Sequence, residues 1–98
     1  MLIRIVRMTF KPEELDNFLK LFDSKKEKIR AFPGCRHLEL WQDHESKNVF
    51  STYSHWDADE DLQNYRNSEL FRDLWSKTKI LFSEKAIAYS NEVVVKLD

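Results

Sequence analysis

Two histidines are the candidates for proton transfer in this sequence. His37 and His55 each lie in a run of alternating residues typical of a β-strand, and an unperturbed imidazole titrates near neutral pH. If the two runs pair as a hairpin, both imidazoles can lie on one face near its open end. We therefore assign His37 and His55 as candidate catalytic residues; exposed strand histidines without a catalytic role are the alternative. His44 falls in a polar loop, where we expect it to be solvated.

Large aromatic side chains could line a pocket for the substrate of a proton-transfer reaction. Six of them fall where a sheet would meet the second helical segment: Trp41, Tyr53, Trp56, Tyr65, Phe71 and Trp75. The alternative role for each is the hydrophobic core, because aromatic residues at strand or helix spacing usually form core. The sequence leaves both roles open.

The composition excludes several other classes of site. The single glycine, Gly34, rules out the Walker phosphate loop and the dinucleotide fingerprint, since both need several glycines. The single cysteine, Cys35, cannot form an internal disulfide, and no Cys/His group has zinc-site spacing, so we expect no metal. A formal net charge of -1 predicts no nucleic-acid partner. There is no signal-peptide pattern and no apolar run of about 20 residues, which predicts a cytoplasmic location and no membrane partner.

Hydrophobic periodicity predicts the elements that must position these residues. Leu2 to Phe10 is rich in β-branched and apolar residues, as in a strand. An amphipathic helix of about five turns follows Pro12 and must end before the turn at Phe32-Pro33-Gly34. Two strands, Cys35 to Gln42 and Val49 to Trp56, then form a hairpin across a polar loop.

The last third of the chain is typical of two short helices and a strand. Asp57, followed by Glu60, has the form of a helix N-cap with a partner carboxylate, and Ser68 can cap the second helix. That second helix could extend to Leu81 and Phe82. We expect the last strand between Ile87 and Leu97.

This order of elements predicts an α+β, ferredoxin-like βαββαβ fold with a four-stranded antiparallel sheet. Right-handed crossovers place the helices on one face of the sheet and leave the other face uncovered. We expect the uncovered face to carry several of these residues: Ile3, Ile5, Trp41, Tyr53, Val93 and Val95. A monomer rarely exposes so much contiguous apolar area, and we therefore predict a homodimer that packs through this sheet face.

Two further expectations concern individual strand residues. Alternation along the first hairpin strand puts Cys35 on the same face as His37. Arg7 would be a costly buried cation if it pointed inward, so we expect it to form a salt bridge with Glu39 or Glu92.

Four short segments carry a family resemblance. They are Glu39-Leu40-Trp41-Gln42-Asp43, Tyr53-Ser54-His55-Trp56, Tyr65-Arg66-Asn67-Ser68-Glu69-Leu70-Phe71, and Trp75-Ser76-Lys77-Thr78-Lys79 with Leu81-Phe82. Together they resemble the antibiotic biosynthesis monooxygenase (ABM) domain family over nearly the whole chain, and the resemblance implies the dimeric α/β-barrel fold. It also matches Tyr65 and Trp75 to pocket positions of the family. We therefore add Tyr65 to the candidate catalytic residues. The candidate substrate-binding residues are Trp41, Tyr53, Phe71 and Trp75.

The resemblance implies two kinds of chemistry. Quinone-forming members act on aromatic polyketides without metal, flavin or haem; such a protein binds an electron-rich phenol, assists its deprotonation and shelters the anion while it reacts with dioxygen. Haem-degrading members need an Asn, a Trp and an axial His at the positions that match Val6, Tyr65 and Trp75 here. None of the three residue types is retained, which argues against haem degradation.

We interpret residues 1–98 as a single ABM-like domain. The leading hypothesis is a cofactor-independent monooxygenase that acts on a small aromatic or quinone-like substrate. Two alternatives remain open: a non-catalytic small-molecule-binding or stress-response module with the same dimeric barrel, and haem binding without turnover.

Overall fold

The computed structural model describes all residues from Met1 to Asp98. The elements in chain order are β1 (Leu2–Phe10), a 3-10 turn (Pro12–Glu14), α1 (Leu15–Arg30), β2 (Cys35–Gln42), β3 (Val49–Trp56), α2 (Asp59–Arg66), α3 (Glu69–Lys79) and β4 (Phe82–Glu92). The four strands form one antiparallel sheet in the order β2-β3-β1-β4. This is the ferredoxin-like topology, and the predicted fold class is confirmed. None of the helices has the length and apolar character that crossing a membrane requires.

The register of β1 divides the sheet into two faces. Leu2 pairs with Trp56 of β3, and Met8 pairs with Phe50; these residues belong to the core that the helices cover. Even-numbered residues of β1 therefore face the helices, and odd-numbered residues face the opposite side. We call these two sides the helix side and the open face.

The core on the helix side is built largely from aromatic rings. Phe10 is 0%, Trp56 1% and Phe18 2% exposed. The rings of Phe10 and Phe18 stack with centroids 4.2 Å apart, and Phe50 meets Phe10 edge-on at 6.1 Å. Such ring pairs add to the stabilisation that burial itself gives. The rings of Phe10, Phe18 and Phe50 fill the core at the end of β1, whereas Trp56 pairs with Leu2 at its start.

A glycine turn and a β-bulge set the start of β2. Gly34 has φ +89, a left-handed conformation, and a Cβ at this position would overlap the side chain of Asp61. A register shift follows between Cys35 and His37, so one extra residue of β2 is inserted opposite β3. Cys35 consequently lies in the core, whereas His37 lies on the open face. The prediction that the two residues share a face is wrong, because the bulge reverses the alternation.

The helix caps agree with the sequence at one of two positions. The hydroxyl of Ser68 caps α3 by accepting a 3.2 Å hydrogen bond from the backbone N–H of Phe71. Asp57, by contrast, does not cap α2, because Ala58 occupies the N-cap position. The carboxylate of Asp57 is instead held by the guanidinium of Arg36, with Nη2 donating at 2.7 Å.

The last strand begins and ends earlier than the sequence suggests. Phe82 pairs with Phe10 in the sheet, and their ring centroids lie 5.2 Å apart. This packing starts β4 directly after Leu81, so neither Leu81 nor Phe82 extends α3. Val93 and Val95 lie beyond the end of β4 and are exposed. They are therefore not strand residues of the sheet, contrary to the prediction.

Candidate functional site

A cavity of about 370 Å³ lies between the helix side of the sheet and the three helices. We call it the helix-side cavity. Its aromatic lining comes from Phe18, Phe22, Trp56, Tyr65, Phe71 and Trp75. The volume falls within the roughly 300–1,000 Å³ that small-molecule sites occupy. The cavity can therefore hold a small ring compound.

A second depression, of about 810 Å³, lies on the outer surface between α1 and β2. It is open to solvent, and most of its lining is charged: Lys20, Asp23, Lys26, Glu27 and Arg30. Small-molecule sites are usually enclosed and mainly apolar. The helix-side cavity is therefore the better candidate.

Three of the residues predicted for the site form one wall of the helix-side cavity. Tyr65 comes from α2, and Phe71 and Trp75 come from α3. The rings of Phe71 and Trp75 stack with centroids 5.6 Å apart, and Tyr65 meets Phe71 edge-on at 5.1 Å. The Ser68 cap holds the turn between the two helices. This aromatic wall offers ring faces and edges against which a flat ligand can stack.

The hydroxyl of Tyr65 adds a polar group to the aromatic wall. Tyr65 is 8% exposed, and its hydroxyl makes no hydrogen bond within the chain. Burial raises the pKa of Tyr65 well above its usual value, and the nearby thiol of Cys35 acts in the same direction. The phenol consequently stays protonated at neutral pH. It can donate a hydrogen bond to an oxygen of a ligand, but it cannot act there as a base.

The other four predicted site residues lie on the open face. His37 and Trp41 come from β2, and Tyr53 and His55 come from β3. His37 pairs with His55 in the register, and their ring centroids are 4.9 Å apart, so the two imidazoles do share a face. The rings of Trp41 and Tyr53 stack at 4.6 Å. The sheet itself separates these four residues from the helix-side cavity.

Glu39 joins these four residues to form what we call the open-face cluster. Its carboxylate pairs with Nε2 of His37 and accepts a 2.8 Å hydrogen bond from Nε1 of Trp41, and these two contacts hold the pKa of Glu39 below its usual range. Nε2 of His55 is buried without a partner. Burial, followed by the charges of His37 and Lys96, lowers the pKa of His55, while Glu39 opposes this shift. His55 is therefore neutral at pH 7.

Five polar residues of the helix-side cavity were missed by sequence reasoning: Arg4, Thr52, Ser54, Arg66 and Thr78. A charged residue in an apolar strand is normally expected to face solvent. The signal that could have identified Arg4 is its spacing: Arg4, Val6 and Met8 are two residues apart along β1 and therefore lie on the same side of the strand.

The helix-side cavity has no acidic or imidazole side chain in its lining. No group of three or more His, Cys, Asp or Glu residues in the chain is arranged to hold a metal ion. Cys35 is buried, its thiol donates to the backbone oxygen of His37 at 3.7 Å, and burial raises its pKa, which disfavours a reactive thiolate. The cavity can therefore bind an aromatic molecule, exclude water and donate hydrogen bonds to its oxygens.

Arg7, on the open face, pairs with Asp43 across 3.7 Å. The predicted partners were Glu39 and Glu92, and both are engaged elsewhere. Glu39 belongs to the open-face cluster, and Glu92 lies 4.0 Å from the N-terminal amine. The prediction of the partner is therefore wrong, although Arg7 does form a salt bridge.

Several solved structures share this fold. The crystal structure of an antibiotic biosynthesis monooxygenase matches with a TM-score of 0.91 at 24% identity, covering 97% of this chain and 100% of that chain. A conserved protein from Methanosarcina mazei Go1 matches with a TM-score of 0.87 at 20% identity, covering 93% and 91%. A protein from Mycobacterium tuberculosis matches with a TM-score of 0.89 at 15% identity, covering 99% and 98%. At these identities the likeness establishes the fold and not the activity.

The family itself is established by sequence. No curated protein matches the chain. Residues 1–75, however, match the family model described as "Antibiotic biosynthesis monooxygenase". This span includes β1 to β3, α1 and α2, and it contains all three residues of the aromatic wall. The chain therefore belongs to the antibiotic biosynthesis monooxygenase family.

Proposed function

We propose that the protein is a monooxygenase that oxidises a small aromatic or quinone-like substrate in the helix-side cavity, without metal, flavin or haem. The observation that carries the proposal is the wall of Tyr65, Phe71 and Trp75 beside an enclosed space of about 370 Å³. Membership of the family supports the choice of monooxygenase chemistry.

The proposed reaction converts a ring methylene of an anthrone-like substrate into a carbonyl. One atom of dioxygen becomes the carbonyl oxygen, and the two hydrogens of the methylene leave with the other atom as water. The carbon loses four electrons, and dioxygen gains the same four. The substrate anion is the electron donor, so the protein has to bind the ring, favour the anion and exclude bulk water.

Tyr65 is the residue that we assign to the developing charge. Its phenol stays protonated, and its hydroxyl is free to donate to the substrate oxygen on which negative charge collects. A donor already fixed in a buried wall stabilises this charge without reorganisation of the site. Phe71 and Trp75 hold the ring by stacking.

The proton released by the substrate has no acceptor among the side chains that line the cavity. Solvent at the mouth of the cavity takes it up in this proposal, which suits a substrate that is itself acidic. His37 and His55 lie across the sheet from the bound ring. Their catalytic role stays a prediction, and it is tested by the variants His37→Ala and His55→Ala.

A homodimer through the open face is a further part of the proposal. Trp41, Ile87 and Tyr89 are large exposed residues of β2 and β4, with exposures of 41%, 49% and 50%. A second copy that packed on this face would cover this apolar area. Light scattering should give the mass of two chains at micromolar concentration, and a stable monomer would contradict the proposal.

A cytoplasmic location is also proposed, supported by a single buried cysteine, Cys35, that has no disulfide partner.

A non-catalytic binding module is the second candidate, and the absence of an acid or base from the cavity lining favours it. Oxygen consumption with a panel of hydroquinones and anthrones separates the two functions. A monooxygenase should consume oxygen faster than the uncatalysed reaction with at least one compound, and Tyr65→Phe should slow it. Saturable binding without turnover of any compound would favour the binding module.

A further inference from the structure

Two arginines line the helix-side cavity without a carboxylate partner. Arg4 projects from β1, and Arg66 projects from the end of α2. Neither guanidinium lies within 4.0 Å of an Asp or Glu oxygen; Arg4 Nη1 donates to the hydroxyl of Ser90 at 2.9 Å, and Arg66 Nη1 donates to Oε1 of Gln63 at 3.3 Å. Both partners are neutral, so the positive charge of the pair is not balanced by a salt bridge.

The position of Arg4 is unfavourable for a cation. Burial lowers the pKa of Arg4, and the charge of Arg66 lowers it further, while the charge of Asp59 acts in the opposite direction. Two like charges beside an apolar cavity, neither of them in a salt bridge, indicate a place for an anion.

The arginine pair lies where the cavity meets solvent. Arg66 is exposed and Arg4 is half-buried. On the same side of the sheet, Ala88 and Ser90 of β4 are exposed as well, so the helices leave this part of β4 uncovered. Tyr65 of the aromatic wall lies deeper and is buried, whereas Phe71 and Trp75 are half-buried. A ligand that entered here would place its ring against the wall and its polar end beside the arginines.

We propose that Arg4 and Arg66 bind the carboxylate of an aromatic acid whose ring system occupies the helix-side cavity. Guanidinium groups suit this role because their planar N–H donors match the two oxygens of a carboxylate. The proposal rests on the proposed aromatic site, but it does not require that the ligand be turned over. It narrows the ligand class from aromatic molecules to aromatic anions.

A matched pair of ligands distinguishes the contribution of the anion site to binding from that of the aromatic cavity. 2-Naphthoate is ionised at pH 7, and 2-naphthamide has the same rings with a neutral head of similar shape. Isothermal titration calorimetry on the full chain should show naphthoate binding at least tenfold more tightly than the amide. The variants Arg4→Gln and Arg66→Gln should each reduce this preference several-fold, because they weaken the binding of naphthoate much more than that of the amide.

Arg72→Gln is the matched control, because Arg72 is exposed on α3, outside the cavity lining, and forms no salt bridge. It should keep the full preference for naphthoate. Arg66→Gln keeps the test valid if Arg4→Gln fails to fold, since Arg66 is exposed.

Three results would overturn the anion site. Equal affinity of the wild type for naphthoate and the amide would contradict the anion site but not the aromatic site. The preference for naphthoate could survive in both Arg4→Gln and Arg66→Gln, or Arg72→Gln could reduce it equally. Either result would show that Arg4 and Arg66 are not the source of the preference. Failure of both ligands to bind would contradict the aromatic site itself, and with it the proposed function.

Discussion

The two faces of the sheet carry different chemistry. The helix side has an enclosed aromatic cavity with two arginines and no acid or imidazole. The open face has two imidazoles, a carboxylate and a stacked Trp–Tyr pair in the open-face cluster. The two histidines, which residue type marks as catalytic, thus lie outside the helix-side cavity.

The largest expected difference between the two faces is in stability. Phe10→Ala removes a side chain that is 0% exposed, and we expect it to lower the free energy of unfolding by about 3–5 kcal/mol. Ile5→Ala changes the same strand on the open face, where Ile5 is half-buried, and should cost clearly less. Urea denaturation over a series of protein concentrations measures both, and separates any contribution of a dimer. Equal losses would contradict the assignment of the core to the helix side.

The second expected difference is in activity. Tyr65→Phe removes one hydrogen bond to a charged oxygen, which is worth about 1.5–3 kcal/mol, and should lower kcat/KM about 10- to 100-fold. Tyr53→Phe is the matched control, because it removes the same hydroxyl from the open face. We expect it to leave kcat/KM unchanged. Oxygen-electrode kinetics with an active substrate gives both values, and the reverse order would move the site to the open face.

Sequence reasoning predicted the fold better than the site. The bounds of β1, β2 and β3 match those of the structure, because alternation and the turn at Gly34 are local signals. The position of Cys35 was missed, since a bulge reverses alternation without a signature of its own. β4 was shifted because the pairing of Phe82 with Phe10 is a contact between the two ends of the chain, which local periodicity cannot show.

The predicted site residues lie on two different faces of the sheet, and the sequence could not show this division. Tyr65, Phe71 and Trp75 all line the helix-side cavity. The family resemblance had matched Tyr65 and Trp75 to pocket positions, whereas Phe71 had core as its alternative; their roles toward a substrate stay predictions. His37 and His55 were expected to share a face, and they do. Their face relative to the cavity depends on strand parity, which the sequence left undetermined.

The smallest expected effect is in the pH dependence of stability. The pKa of His55 is lowered from 6.5 in the folded chain, by burial first and by the charges of His37 and Lys96 next, against the charge of Glu39. As the pH falls, the unfolded state therefore binds the proton before the folded state does. The free energy of unfolding should decrease as the pH drops from 6.5 towards the lower pKa of the folded chain. Well above pH 6.5 it should not depend on His55.

His55→Gln is expected to flatten this part of the pH profile. Urea midpoints measured between pH 7.5 and pH 5 give the slope for the wild type and the variant. Asp57 and Asp73 also have lowered pKa values, but their contribution is lost only at lower pH, as these carboxylates become protonated. An unchanged slope in the variant would show that His55 is not the group responsible.

A crystal structure of the protein with a stable quinone product would show directly whether the ligand binds on the helix side of the sheet. We predict ring density between the sheet and α3, stacked on the aromatic wall, with a quinone oxygen within hydrogen-bond distance of the Tyr65 hydroxyl. Ring density on the open face against Trp41 and Tyr53, with the helix-side cavity empty, would contradict the account.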